Sequence, residues 1–241
     1  MEKNIRLYSY IITHDTGFAP NPFHGICTLA CCKPRIRKDI GERFNKGENN
    51  SIEFWVVGIS SMNRKKDGHK LVYMMKVTDK KTFKEYWEGT KGKNYKMKKP
   101  NYENKDGDNI YEPLKENPID YSDVKQSEKT NYHKEKEEIN KDLRGKYVLI
   151  SDDYYYFGRK SHSIKLKNKE LKFLYQSNGK TKSFREKNNF SDNEIKIFSE
   201  FIEKISNECK EKSQKGEIYK PYSWATHDNK NNICSDIDIC K

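Results

Sequence analysis

The chain lacks any apolar run near the roughly 20 residues needed to cross a bilayer, and its mean hydropathy is −1.12. It opens with MEKNIRLYSY, which has no apolar leader and passes straight into a strand-like pattern. That start predicts a cytoplasmic protein with no secretory signal and no membrane partner. Alanine is almost missing, at 3 of 241 residues, and arginine is scarce, at 8 against 40 lysines. Such a bias is the mark of A+T-rich coding, so the net charge of +12 is by itself weak evidence for a polyanion partner. Six cysteines form no dense framework at this length and read as free thiols in a reducing compartment. No Walker-type loop, G-x-G-x-x-G or H-x-E…C-x-x-C pattern occurs, which disfavours an NTPase, a dinucleotide enzyme and a zinc deaminase. No internal repeat is present, and one domain over 1–241 is expected.

Strand patterning is abundant. Arg6–Thr13, Glu53–Ile59 and Lys70–Thr78 are rich in aromatic and β-branched residues, with turn chemistry across Ser60–His69. Asp79 then stands as the cap of a short helix, KKTFKEYW, with Phe83, Tyr86 and Trp87 on one face. Strands resume at Tyr147–Ser151, Tyr154–Phe157 and Lys172–Gln176, followed by a turn at Asn178–Gly179. A helix over Asp192–Lys215 carries an S-x-x-E capping box at Ser191 and Glu194. Its apolar stripe is Ile195, Phe198, Phe201, Ile202 and Ile205, and Gly216 marks the stop. The tail Tyr219–Lys241 is irregular. Residues 91–142 hold six aliphatic or Met side chains and no Phe, Trp, Cys or Ala, too little to fold alone; a charged insertion or long loop is expected there. This order predicts an α+β fold, most simply a small, strongly bent mixed β-barrel with rim helices and one long C-terminal helix.

His14–Lys38 (HDTGFAPNPFHGICTLACCKPRIRK) is the segment that looks like a site. It follows a strand, is too rich in Gly and Pro to be regular, and still carries Phe18, Phe23, Ile26 and Leu29; such loops fold back on a domain and are where sites are built. His14 and Asp15 at the strand end are candidate acid/base groups, although a strand-ending turn is the plainer account of them. Lys33, Arg35, Arg37 and Lys38 crowd together; if 34–38 is extended, Arg35 and Arg37 share a face and form a phosphate clamp. Cys32, with Lys33 beside it, is a candidate nucleophile. His24, Cys27, Cys31 and Cys32 lie close, with Cys209, Cys234 and Cys240 downstream, but the spacings fit a zinc site poorly, so no metal is expected and no cofactor is named.

A second feature is Arg159–Lys187, with ten Lys or Arg against two acids, directly after Tyr154, Tyr155, Tyr156 and Phe157. Aromatic residues beside cations suit a nucleic-acid face, and codon bias with core tyrosines is the plain alternative.

YSYIITHDTGFAPNPFHGICTLACCKPRIRK, FWVVGISS, LVYMMKVTDKKTFKEYW, GDNIYEP and DLRGKYVLISDDYYYFG together resemble the bacterial and phage nucleotide modification associated domains, the second of those families, with the third as the alternative. The resemblance runs from about Leu7 to Gly158. It implies a role in systems that make, read or process modified DNA bases, often in phages or mobile elements, and gives a theme rather than a reaction. A weaker likeness in element order is to PUA-like domains of the EVE, ASCH and YTH type, bent barrels that hold a modified base in an aromatic pocket. Asn49–Glu53 and the 91–142 stretch depart from that pattern.

Two readings follow. In the favoured one, the protein binds nucleic acid or a modified base or nucleotide, with Phe18, Phe23, Trp55, Tyr156 and Phe157 stacking. Asn21, Asp15, Asp108 or Asn109 would read the base edge, and Lys33, Arg35 and Arg37 would hold phosphates. In the other, an enzyme processes a nucleotide or base with His14, Asp15 and Cys32, using the Arg pair as clamp. A purely structural component of a phage-defence operon is a third class.

Overall fold

The computed structural model describes residues 4–61, 68–89, 95–100, 106–177, 180–181, 189–211 and 216–217. In chain order the elements are β1 (Asn4–Ile12), β2 (Cys27–Leu29), α1 (Pro34–Asn45), β3 (Ile52–Ser60), β4 (Leu71–Lys76), β5 (Asp79–Thr82), α2 (Phe83–Glu88), β6 (Tyr111–Pro113), β7 (Val124–Gln126), α3 (Lys136–Leu143), β8 (Tyr147–Ser151), β9 (Asp153–Tyr156) and α4 (Asp192–Glu211). The fold is α+β, and it divides into two compact units.

Unit 1 takes its described residues from Met1–Thr16, Asn49–Val77 and Asp153–Asn229. Its sheet runs β1-β3-β4-β9 and ends on the two-residue strand Gly216–Glu217; among the described residues no pairing joins its two edges. β1 and β3 are parallel, with Leu7 opposite Trp55, while β4 is antiparallel to both β3 and β9. Both faces are buried, which is why these strands read as near-continuous apolar runs rather than clean alternation. Leu7, Trp55 and Phe157 share a core with Phe198, Phe201 and Ile205 of α4. Tyr10 and Tyr73, also buried, meet through their hydroxyls at 2.8 Å.

Unit 2 takes in Gly17–Glu48 and Thr78–Asp152. A three-stranded sheet, β2-β8-β5, and the β6-β7 pair pack with α1, α2 and α3. Residues within 91–142 supply β6, β7 and α3 here, and Ile110, Tyr111, Ile139 and Leu143 enter one core with Phe18, Phe83 and Val148. The stretch is apolar-poor in itself but borrows its partners from sequence on either side.

Three local expectations change. Asp79–Thr82 is strand, paired with β8, and the cap of α2 is Thr82: its side chain accepts the Glu85 N–H while Glu85 takes the Thr82 N–H. Pro34–Lys38 opens a helix instead of running extended, because Pro34 is well placed at a first helical position and Ile36 and Ile40 bury on one side. Lys172–Leu174 is a single 3-10 turn, not strand; Leu174 packs into the unit 1 core, and its carbonyl accepts the Ser9 hydroxyl at 2.7 Å. The long helix keeps its predicted capping box, with Ser191 and Glu194 bonded reciprocally, and its described residues end at Glu211. The Asn178–Gly179 turn, Lys212–Lys215 and the tail with Cys234 and Cys240 lie outside the described residues.

The α4 stripe is expected to hold unit 1 together. Phe201→Ala removes a fully buried ring and should cost about 3–5 kcal/mol in urea denaturation; a loss below about 1 kcal/mol would mean that the stripe is not core.

Candidate active site

Three consecutive facts of local structure expose one side chain. β2 ends at Leu29, α1 begins at Pro34, and the turn between them passes through Cys32 at φ 58° and Lys33 at φ 43°. Left-handed backbone costs an ordinary residue about 1–2 kcal/mol, so the surroundings must hold it. They do: the Cys32 N–H donates to Asp142 Oδ1 at 2.6 Å, and the Cys32 carbonyl accepts Arg37 Nε at 2.7 Å. Cys31, its neighbour, is fully buried, and burial first, then the charges of Asp142 and Asp108, push its thiol well up. Cys32 is only half-buried.

Cys32 Sγ lies 3.5 Å from His133 Nε2, and His133 Nδ1 lies 2.5 Å from Asp142 Oδ2. The backbone of His133 is also left-handed, at φ 50°, and Gln126 holds it by donating to the carbonyls of Tyr132 and His133 at 3.0 and 2.6 Å. Asp142 sits in the last turn of α3, 1% exposed. Burial alone would raise its carboxyl, but His133 beside it, with its hydrogen bond and charge, and then Arg37 hold it below the ordinary carboxylate value. Tyr111 donates its hydroxyl to Asp142 Oδ2 at 2.8 Å, and burial with that carboxylate pushes the phenol well up, so it stays a donor. An ionised Asp142 accepts the proton of His133 Nδ1; in the neutral imidazole Nε2 is then the acceptor facing the Cys32 thiol. Thiol, imidazole and carboxylate thus stand in sequence, the order that general-base activation of a thiol requires.

Arg37 supports the line from below. It is fully buried, and its guanidinium donates to the carbonyls of Cys32, Tyr147 and Asp142 at 2.7, 2.8 and 2.5 Å. Gly145 makes room for it, since a Cβ there would run into the guanidinium. Arg35 is exposed on α1. On a helix the two arginines are two steps of about 100° apart, so the shared face of an extended strand is lost.

The remaining predicted residues divide by unit. In unit 2, Phe18 stacks on Tyr132 with ring centroids 4.2 Å apart and meets the His133 ring edge-on at 5.2 Å, walling the site. Phe23 is buried and Lys33 half-buried. Asn21, Asp108 and Asn109 join a second buried network. The Lys98 ammonium donates to Asn21 O and Oδ1 and to Ile26 O, and Asp108 accepts Thr28 and Tyr86, each at 2.7 Å. Burial raises the Asp108 carboxyl against the pull of Lys98, Thr28 and Tyr86. Asn21 Nδ2 donates to the Gly17 and Asp106 carbonyls, and Asn109 Nδ2 to that of Tyr86. These amides lock the Gly/Pro-rich loop onto unit 2. In unit 1, His14 is exposed, and buried Asp15 accepts the Tyr156 hydroxyl at 2.5 Å. Trp55 and Phe157 belong to the core there.

Cys31, His133 and Asp142 place potential metal donors within 4.8 Å of one another, so this set could hold a cation. The hydrogen bonds already made favour proton handling: both Asp142 oxygens accept donors from Cys32, Tyr111 and His133. Sequence reasoning named Cys32 as a candidate but not the two residues it meets, His133 and Asp142, which come from the stretch set aside as apolar-poor.

The lowered Asp142 carboxyl adds stability that is fully present above the unfolded value near 4 and is lost as pH falls through the lower folded value. Asp142→Asn should therefore reduce stability at neutral pH and flatten the acid limb of a urea-denaturation series taken down to about pH 3; parallel limbs for the two proteins would refute the assignment.

No curated protein and no solved structure matches the chain. Among the described residues, no helix is long and apolar enough to cross a membrane. The family model of nucleotide modification associated domain 2 matches residues 4–227, nearly the whole sequence. The chain belongs to the nucleotide modification associated domain 2 family.

Proposed function

We propose that this protein is an enzyme of nucleotide modification that uses Cys32 as a covalent nucleophile on a nucleotide or nucleobase derivative. The observation that carries the reading is the Cys32–His133–Asp142 line, with contacts of 3.5 and 2.5 Å. His133 is the general base, Asp142 fixes its tautomer and steadies the imidazolium, and Tyr111 and Arg37 hold Asp142. Three left-handed residues in the same site, Cys32, Lys33 and His133, fit a place where backbone strain serves a reaction. The substrate class comes from family membership; Phe18 and Tyr132 offer apolar surface beside the thiol, and exposed Arg35 offers charge for a phosphate.

This replaces His14 and Asp15 as the proposed reacting pair, since the Asp15 carboxylate is taken up by Tyr156. A module that merely holds a modified base would not need a base-activated thiol, and Cys32→Ser would leave its binding and biological effect intact.

In the full chain, iodoacetamide is expected to alkylate Cys32 ahead of buried Cys27, Cys31 and Cys209. His133→Ala should slow that reaction about tenfold or more, a modest part of what a general base supplies. Peptide mass mapping over time is the readout. Labelling of Cys32 that ignores His133 would end the proposal.

A further inference from the structure

We infer that the Cys32 site performs acyl transfer: its substrate is an amide or ester carried by a nucleotide or base, and the reaction passes through a Cys32 thioester. This rests on Cys32 being the nucleophile and adds the reaction class.

Three features of unit 2 point the same way. First, Cys32 sits at a strand-to-helix turn, between Leu29 of β2 and Pro34 of α1, in left-handed backbone. That is the mechanics of a nucleophile elbow, which lifts a reactive side chain clear of the strand it follows. The flanking positions are Ala30 and Pro34 rather than glycines, so no elbow motif is visible in the sequence. Second, acyl transfer needs a base that first takes the nucleophile's proton and then returns it to the leaving group, and His133 Nε2 lies within reach of Cys32. Third, the tetrahedral intermediate needs donors for its oxyanion. The Cys32 N–H is committed to Asp142 Oδ1, so it is not one of them. α1 starts two residues later, with Pro at its first position, no side-chain cap from Lys33 and no acid in the first turn. Helix geometry leaves the N–H groups of Arg35 and Ile36 without intrahelical acceptors, at the end of the helix where its dipole favours negative charge.

The steps balance. The Cys32 thiol gives its proton to His133 Nε2 as sulfur bonds to the carbonyl carbon. The oxyanion collapses, the C–N or C–O bond breaks, and His133 returns the proton to the departing amine or alcohol. Water, or an amine acceptor, then attacks the thioester. The S–C bond breaks, and the carboxylic acid or new amide leaves with the thiol restored.

p-Nitrophenyl acetate and N4-acetylcytidine probe this directly in the full chain. The expected result is a single acetyl adduct on Cys32 that hydroxylamine removes, with a p-nitrophenol burst reduced about tenfold or more in His133→Ala. Cys31→Ala should keep the adduct and Cys32→Ser should lose it, with unchanged circular dichroism for both. Rapid iodoacetamide labelling of Cys32 with no acetyl-thioester from either probe would overturn acyl transfer while leaving the nucleophile in place. Acetylation confined to lysines, equal in wild type and Cys32→Ser, would also overturn it. Loss of selective iodoacetamide labelling as well would remove the nucleophile reading with it.

Discussion

One buried carboxylate organises unit 2. A charge taken out of water costs several kcal/mol unless it is paired and hydrogen-bonded, and Asp142, at the end of α3, meets that demand with groups from four parts of the chain. The Cys32 N–H comes from the turn before α1, the Tyr111 hydroxyl from β6, the His133 imidazole from the loop before α3, and the Arg37 guanidinium from α1, at 3.9 Å from Oδ1. Satisfying the carboxylate therefore fixes the relative positions of the thiol and the imidazole. The carboxylate that ties these elements together is the same one that orients the thiol and the imidazole, so on the proposed function a substitution at Asp142 touches stability and chemistry together.

The second network has a different task. Lys98 and Asp108 are buried as well, but apart from Tyr86 of α2 their side chains bond to the backbone and side chains of the loop that runs from Gly17 to Thr28. Asn21 and Thr28 also bridge through paired backbone hydrogen bonds. Phe18, held at one end of this loop, then has a defined place against Tyr132 and His133. One network sets the Cys32–His133–Asp142 line, and the other sets the apolar wall beside it.

Much of unit 1 was legible because its signals are local. Strands buried on both faces read as aromatic and β-branched runs, and α4 announced itself through its capping box and its stripe. α1 was also written in the chain, through Pro34 followed by Ile36 and Ile40, but the density of cations drew attention to phosphate binding and an extended backbone. Cys32 could be singled out because Lys33 stands beside it in a loop that carries too much apolar weight to be a mere linker. Its partners could not: His133 and Asp142 lie 101 and 110 residues further on, and pairing over that distance leaves no periodic trace. They also stand among charged residues, where a histidine and an aspartate look like solvated surface. What singles them out is contact with distant residues, Phe18 against the His133 ring and Cys32, Arg37 and Tyr111 around Asp142, a tertiary fact.

The central claim is that His133 stands between a carboxylate and a thiol with its Nδ1 proton directed at Asp142. Nitrogen-15 and proton NMR of the full chain with labelled histidine measures this most directly. The account predicts a strongly deshielded Nδ1 proton on one imidazole, absent in His133→Gln and in Asp142→Asn, with its Nε2 resonance moved when Cys32 is alkylated. A His133 ring without a deshielded Nδ1 proton, indifferent to Asp142→Asn and to the state of Cys32, would contradict it.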